Sequence, residues 1–151
     1  MGTRGLIKVK INNKLYTIYI QYDTYFPYLG IKLVEFIKSQ IVKEGLVGLL
    51  NYFNSIKPID LTKPILKSDI APNALKIISA ASRACRFEDG MDIIKLWQLG
   101  YMPYNDNDIG FEEDTLMCEN VYTLDLDRKL FCHNDCEYQI DNIPVFANDY
   151  C

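Results

Sequence analysis

A chain of 151 residues with 49% hydrophobic and 24% charged residues is long enough for one domain (1–151) with a sizeable core and needs no staples to fold. A net charge of −4 and the lack of a basic run argue against nucleic acid, whose phosphates are bound by clustered Lys and Arg. No apolar run reaches membrane-spanning length, which argues against a membrane partner. Lys, Ile, Asn, Asp and Tyr are frequent, a bias that AT-rich genomes produce, among them those of large DNA viruses.

The chain opens as Met1-Gly2-Thr3-Arg4-Gly5, with no apolar core and cleavage site of a secretory signal. Leu6 stands where the myristoylation pattern takes Ser or Thr. With five cysteines, an odd count, this predicts reduced thiols and a cytoplasmic setting, or a virion if the source is viral.

Residues 5–11 and 14–22 are rich in β-branched and aromatic residues and flank Asn12-Asn13, a two-residue hairpin signal. Partners then sum to 25, so Ile7 faces Ile18 and Val9 faces Tyr16 on an apolar face. The opposite face carries Lys8 with Thr17, Lys10 with Leu15, and Arg4 with Gln21, with Asp23 diagonal to Arg4. Residues 25–30 read as a turn. Two helices follow, over 31–41 and 44–54, and then an extended irregular stretch over 56–66. A third helix covers 71–84, with Pro72 in its first turn, and a short one covers 91–99, closed by Gly100. Residues 101–113 read as a polar loop. Strands over 120–126 and 129–132 flank Asp127-Arg128, with further short strands over 138–140 and 144–146. The expected fold is α+β: both hairpins in one mainly antiparallel sheet, covered by three to four central helices.

Four groups of residues carry candidate chemistry. Arg4, Gln21 and Asp23, with Tyr25 nearby, form a polar face. A guanidinium there suits a carboxylate or phosphate, and Asp23 is a candidate base or an ion-pair partner of Arg4. Thr3 is a candidate nucleophile of the N-terminal type, or a hydroxyl satisfied in the sheet. Cys132, His133 and Cys136, with Cys118 upstream, are zinc-competent types without paired Cys-x2-Cys spacing. Asn105 to Asp108 supplies close oxygen ligands without the glycine and terminal glutamate of a calcium loop. No cofactor is implied.

The segments Met1–Leu6 and Gln21–Gly30 resemble an uncharacterised protein family of bacteria, phages, fungi and large DNA viruses. The resemblance rests on Gly2, Thr3, Arg4, Leu6, Gln21, Tyr22, Asp23, Tyr25 and Gly30. Glu35-Phe36-Ile37 and Asn120 to Asp125 extend it. Thr24 replaces the usual glycine or serine, Phe26 replaces the proline, and Pro27 comes one position late. The resemblance implies a shared site and no particular reaction.

The expected function is a module that binds a small polar or anionic ligand, or a protein partner, through the Arg4, Gln21 and Asp23 face. The alternatives are a small hydrolase using Thr3 or that face, and a viral structural or interaction protein that forms homo-oligomers.

Overall fold

The computed structural model describes residues 3–84, 86–108 and 118–144. The first hairpin pairs β1 (Gly5–Ile11) with β2 (Lys14–Tyr22) in the register that a two-residue turn dictates, Ile7 against Ile18 and Val9 against Tyr16. Asn12 and Asn13 both take positive φ, 53° and 62°, which Asn tolerates better than most residues.

A π-helical turn (Phe26–Gly30) leads into α1 (Ile31–Ser55). Gly45 interrupts α1 with φ 74° and ψ −176°, and the chain folds back there. The Phe36 ring lies 6.1 Å from Phe53, a separation impossible along a straight helix at 1.5 Å rise per residue. The two helices expected from the sequence are therefore the arms of a hairpin, with Val42 and Val47 exposed near its tip.

The chain continues through β3 (Lys57–Asp60), α2 (Pro72–Ala84), β4 (Phe87–Asp89), α3 (Gly90–Gln98) and β5 (Tyr101–Tyr104). It ends in β6 (Asn120–Asp125), β7 (Leu130–His133) and β8 (Cys136–Gln139). The main sheet has the order β4-β2-β1-β6-β7-β8, and β3 and β5 form a separate parallel pair.

The fold is α+β, but the sheet is mixed, which corrects the expectation of a mainly antiparallel one. β1 pairs with β6 and β2 with β4 in parallel, because long crossovers separate these strands in sequence. Three further differences are local. β3 lies inside the stretch read as irregular, β5 inside the stretch read as polar loop, and β4 had no strand reading at all. The β6–β7 connection is four residues long, with Lys129 at φ 58°. The expected strand over 144–146 falls largely outside the described residues.

One core joins Ile7, Val9, Ile18, Ile20, Tyr122 and Phe131 of the sheet with side chains of all three helices, among them Leu33, Ile37, Ile78 and Trp97. The opposite sheet face is not wholly solvated, since Leu6 and Thr17 are fully buried there. Among the described residues, no helix is long and apolar enough to cross a membrane.

Candidate functional site

The chain just before β1 and the chain just after β2 meet at the end of the sheet. Asp23 takes φ 59°, and beyond it Thr24 turns back against Thr3. The Thr24 amide donates to the Thr3 hydroxyl at 2.9 Å, and the Thr24 hydroxyl donates to the Thr3 carbonyl at 2.9 Å. The Tyr122 hydroxyl donates to the Thr24 carbonyl at 2.5 Å. A Cβ on Gly5 would collide with the Asn120 carbonyl and with Thr24, so the close approach of the two segments demands glycine. Thr3 is thus an anchoring residue in this geometry, with both its side chain and its carbonyl engaged.

This junction continues to the one histidine. Asn120 turns its amide nitrogen to the Thr24 hydroxyl at 3.4 Å and its oxygen to His133 Nε2 at 2.8 Å, so the neutral imidazole donates from Nε2. His133 is 3% exposed and stacks on Tyr122, with ring centroids 4.8 Å apart. Burial pushes its pKa down to about 4.

The cysteine group separates in space. His133 and Cys132 lie on opposite faces of β7, facing Tyr122 and Thr123 respectively. His133 and Cys136 close a two-residue turn between β7 and β8. Cys118 and Cys132 are thiols, but Cys136 is disulfide-bonded, which corrects the expectation of reduced thiols throughout. A disulfide sulfur is no thiolate ligand. Among the described residues, no three His, Cys, Asp or Glu side chains come together as a metal site.

The polar face is larger than the sequence predicts. Gln21 and Tyr19 alternate with Ile20 along β2, and the Tyr19 hydroxyl donates to Gln21 Oε1. Arg4 makes a side-chain hydrogen bond with Tyr19. Phe87 pairs with Ile20, so Arg86 and Glu88 fall beside Tyr19 and Gln21 on the face opposite the core. Arg86 and Glu88 form a half-exposed ion pair at 3.5 Å. Desolvation raises the Tyr19 pKa, while Arg4 and Arg86 both pull it down and Asp108 adds to the rise. Asp108 accepts the Tyr19 amide at 3.0 Å, and burial raises its own pKa. The Asn105 to Asp108 stretch is therefore docked on β2, with the Asn105 amide donating to the Thr17 carbonyl at 2.8 Å.

Asp23 and Tyr25 belong to a neighbouring cluster. Tyr25 is 43% exposed, and its ring lies 6.1 Å from Tyr28. The Tyr28 hydroxyl donates to Asp89 at 3.0 Å, and Asp89 caps α3 by accepting the Met91 amide at 2.9 Å. Burial, the Asp89 hydrogen bond and the charges of Asp89 and Asp23 push the Tyr28 phenol up to about 12.

Sequence reasoning missed Tyr19, Arg86 and Glu88, and it assigned Asp108 to a separate oxygen-rich loop. The alternation Arg86-Phe87-Glu88, charge flanking an aromatic, is the signal for β4, but three residues are too few to read as a strand. No family model, no curated protein and no solved structure matches this chain.

Proposed function

We propose that this chain is a binding module that captures a small anionic ligand on the outer face of β1, β2 and β4. Arg4 and Arg86 supply the charge, and Tyr19 and Gln21 fix the orientation of what they hold. The observation that carries the reading is the convergence on one tyrosine of two guanidinium groups from residues that immediately precede different strands, β1 and β4. A forked donor on each side suits a phosphate or carboxylate, and the Tyr19–Gln21 hydrogen bond holds the polar groups between them in place. The Arg86–Glu88 pair is exposed enough to be exchanged for a ligand anion. Asp23 and Tyr25 border this face through the Tyr28 cluster and take no part in the charge capture.

Calorimetric titration of the full chain with pyrophosphate tests the reading. Arg4→Ala and Arg86→Ala are each expected to weaken binding at least tenfold, while circular dichroism stays unchanged. Equal affinity in both variants and the parent would end it.

A second reading, self-association, has one observation in its favour. Val42 and Val47 are 86% and 69% exposed on either side of the Gly45 bend, an unusual pair of apolar residues for a hairpin tip. Light scattering of the parent and of Val42→Ser/Val47→Ser decides it, since a monomer in both cases removes the reading.

A further inference from the structure

A groove of about 590 Å³ runs between α2 and α3 along β4. Its volume lies within the range of small-molecule sites, roughly 300–1,000 Å³. The apolar wall is built from Ile77, Ala80 and Ala81 of α2, Phe87 of β4 and Leu99 after α3. Leu99 is one of the few large apolar residues left exposed in the molecule. The helix residues recur at three- and four-residue spacing, so they form a continuous stripe along α2. Phe87 forms the floor and is itself locked in the core.

The charge in the groove is unbalanced. Arg86, Lys76 and Lys95 line it against Glu88 and Asp92. Glu88 is matched to Arg86, and Lys95 acts on Asp92. Lys76 has no ion-pair partner among the described residues, which leaves an excess of positive charge beside an apolar wall. Arg86 also lines a second cavity of about 250 Å³ with Asp108, and the Ile20–Phe87 pairing sets it beside Tyr19.

We propose that this groove takes an amphipathic anion, an alkyl or acyl chain ended by a phosphate or carboxylate. Its head sits at Arg86, and its chain lies along Ile77, Ala80 and Leu99. This deepens the anion-binding reading and rests on it. An apolar chain removed from water adds affinity with every methylene it buries, which a bare anion cannot gain.

The test compares inorganic phosphate with monomeric octyl phosphate, which carry related head groups, by calorimetry on the full chain. Octyl phosphate is expected to bind at least tenfold tighter than inorganic phosphate. Ala80→Phe fills the groove from an exposed position and is expected to remove that advantage while inorganic phosphate binds as before. Ala80→Leu gives a milder version should the larger ring disturb α2. If inorganic phosphate binds and octyl phosphate binds no tighter, the groove assignment is overturned and the anion-binding reading stands. If the tenfold gain survives both Ala80 variants, the chain lies elsewhere and the assignment also falls. If neither compound binds, both readings fall together.

Discussion

The amide of Thr24 donates to the hydroxyl of Thr3 while the hydroxyl of Thr24 donates back to the carbonyl of Thr3, both at 2.9 Å. This reciprocal clasp fastens the start of β1 to the segment that follows β2, and it explains why a hydroxyl residue occupies position 24. Thr24 is fully buried, so removing its hydroxyl strands polar groups in the interior. Thr24→Val is expected to cost about 1–3 kcal/mol in urea unfolding, whereas Thr24→Ser retains most of the stability. Equal stability of the Val variant and the parent would contradict the clasp.

Gly5 belongs to the same junction. Any Cβ there meets the Asn120 carbonyl, a backbone atom that cannot rotate away. Gly5→Ala is therefore expected to lower stability by more than about 2 kcal/mol, by forcing β1 and β6 apart or Thr24 out of place. Gly45→Ala isolates a different cost. Nothing lies within 4 Å of its Cβ position, so the penalty is that of the backbone alone, φ 74° with ψ −176°, a region essentially reserved for glycine, about 1–3 kcal/mol. Asn favours the left-handed helical region, with ψ near about +45°, and not this one. Gly45→Asn is therefore expected to lose about as much as Gly45→Ala, and an Asn variant as stable as the parent would argue against the bend.

His133 makes stability depend on pH with a definite sign. Its folded pKa, about 4, lies below the ordinary value of 6.5, so the unfolded chain takes up the proton first. The contribution is complete above pH 6.5 and is lost as pH falls from there toward 4. The full effect is at most about 3 kcal/mol. The raised carboxylates of Asp92 and Asp108 act in the opposite direction, but they are present in parent and variant alike. The difference between parent and His133→Gln in urea unfolding should therefore shrink steadily from pH 7 to pH 4.5. A constant difference would mean that His133 takes up its proton as readily in the folded protein as in the unfolded chain.

Asp89 has two tasks, capping α3 and receiving the Tyr28 hydroxyl. Asp89→Ala is expected to lose about 1–2 kcal/mol, with Asp89→Ser restoring the cap but not the phenol contact. Spectrophotometric titration should show one tyrosine, absent in Tyr28→Phe, that ionises near pH 12 in the parent and lower in Asp89→Ser.

The features legible in the sequence are those fixed by neighbours along the chain. Asn12-Asn13 dictates a two-residue turn, and with it every β1–β2 pair. Pro72 and Gly100 mark ends of helices correctly, and the apolar spacing on either side of Gly45 separates two helical arms. The parallel pairs were not legible, because no local turn sets their register. Nothing near Ile20 announces that Phe87, almost 70 residues later, will lie beside it. β5 was hidden in the polar stretch that runs on to Asn105–Asp108, and its register against β3, with Pro58 facing Met102 and Ile59 facing Pro103, is set by no local turn. Arg4 and Gln21 were found because the hairpin register places them. Arg86 was not, because its position beside Tyr19 exists only once β4 has joined the sheet.

The most direct test of the anion-binding face is an NMR titration of the arginine side-chain Nε–Hε signals with pyrophosphate. Arg4 and Arg86 should shift together along one binding curve, with Arg83 and Arg128 unmoved as internal controls. Uniform small shifts of all four arginines, or movement of Arg83 and Arg128 alone, would contradict a site built from Arg4, Tyr19, Gln21 and Arg86.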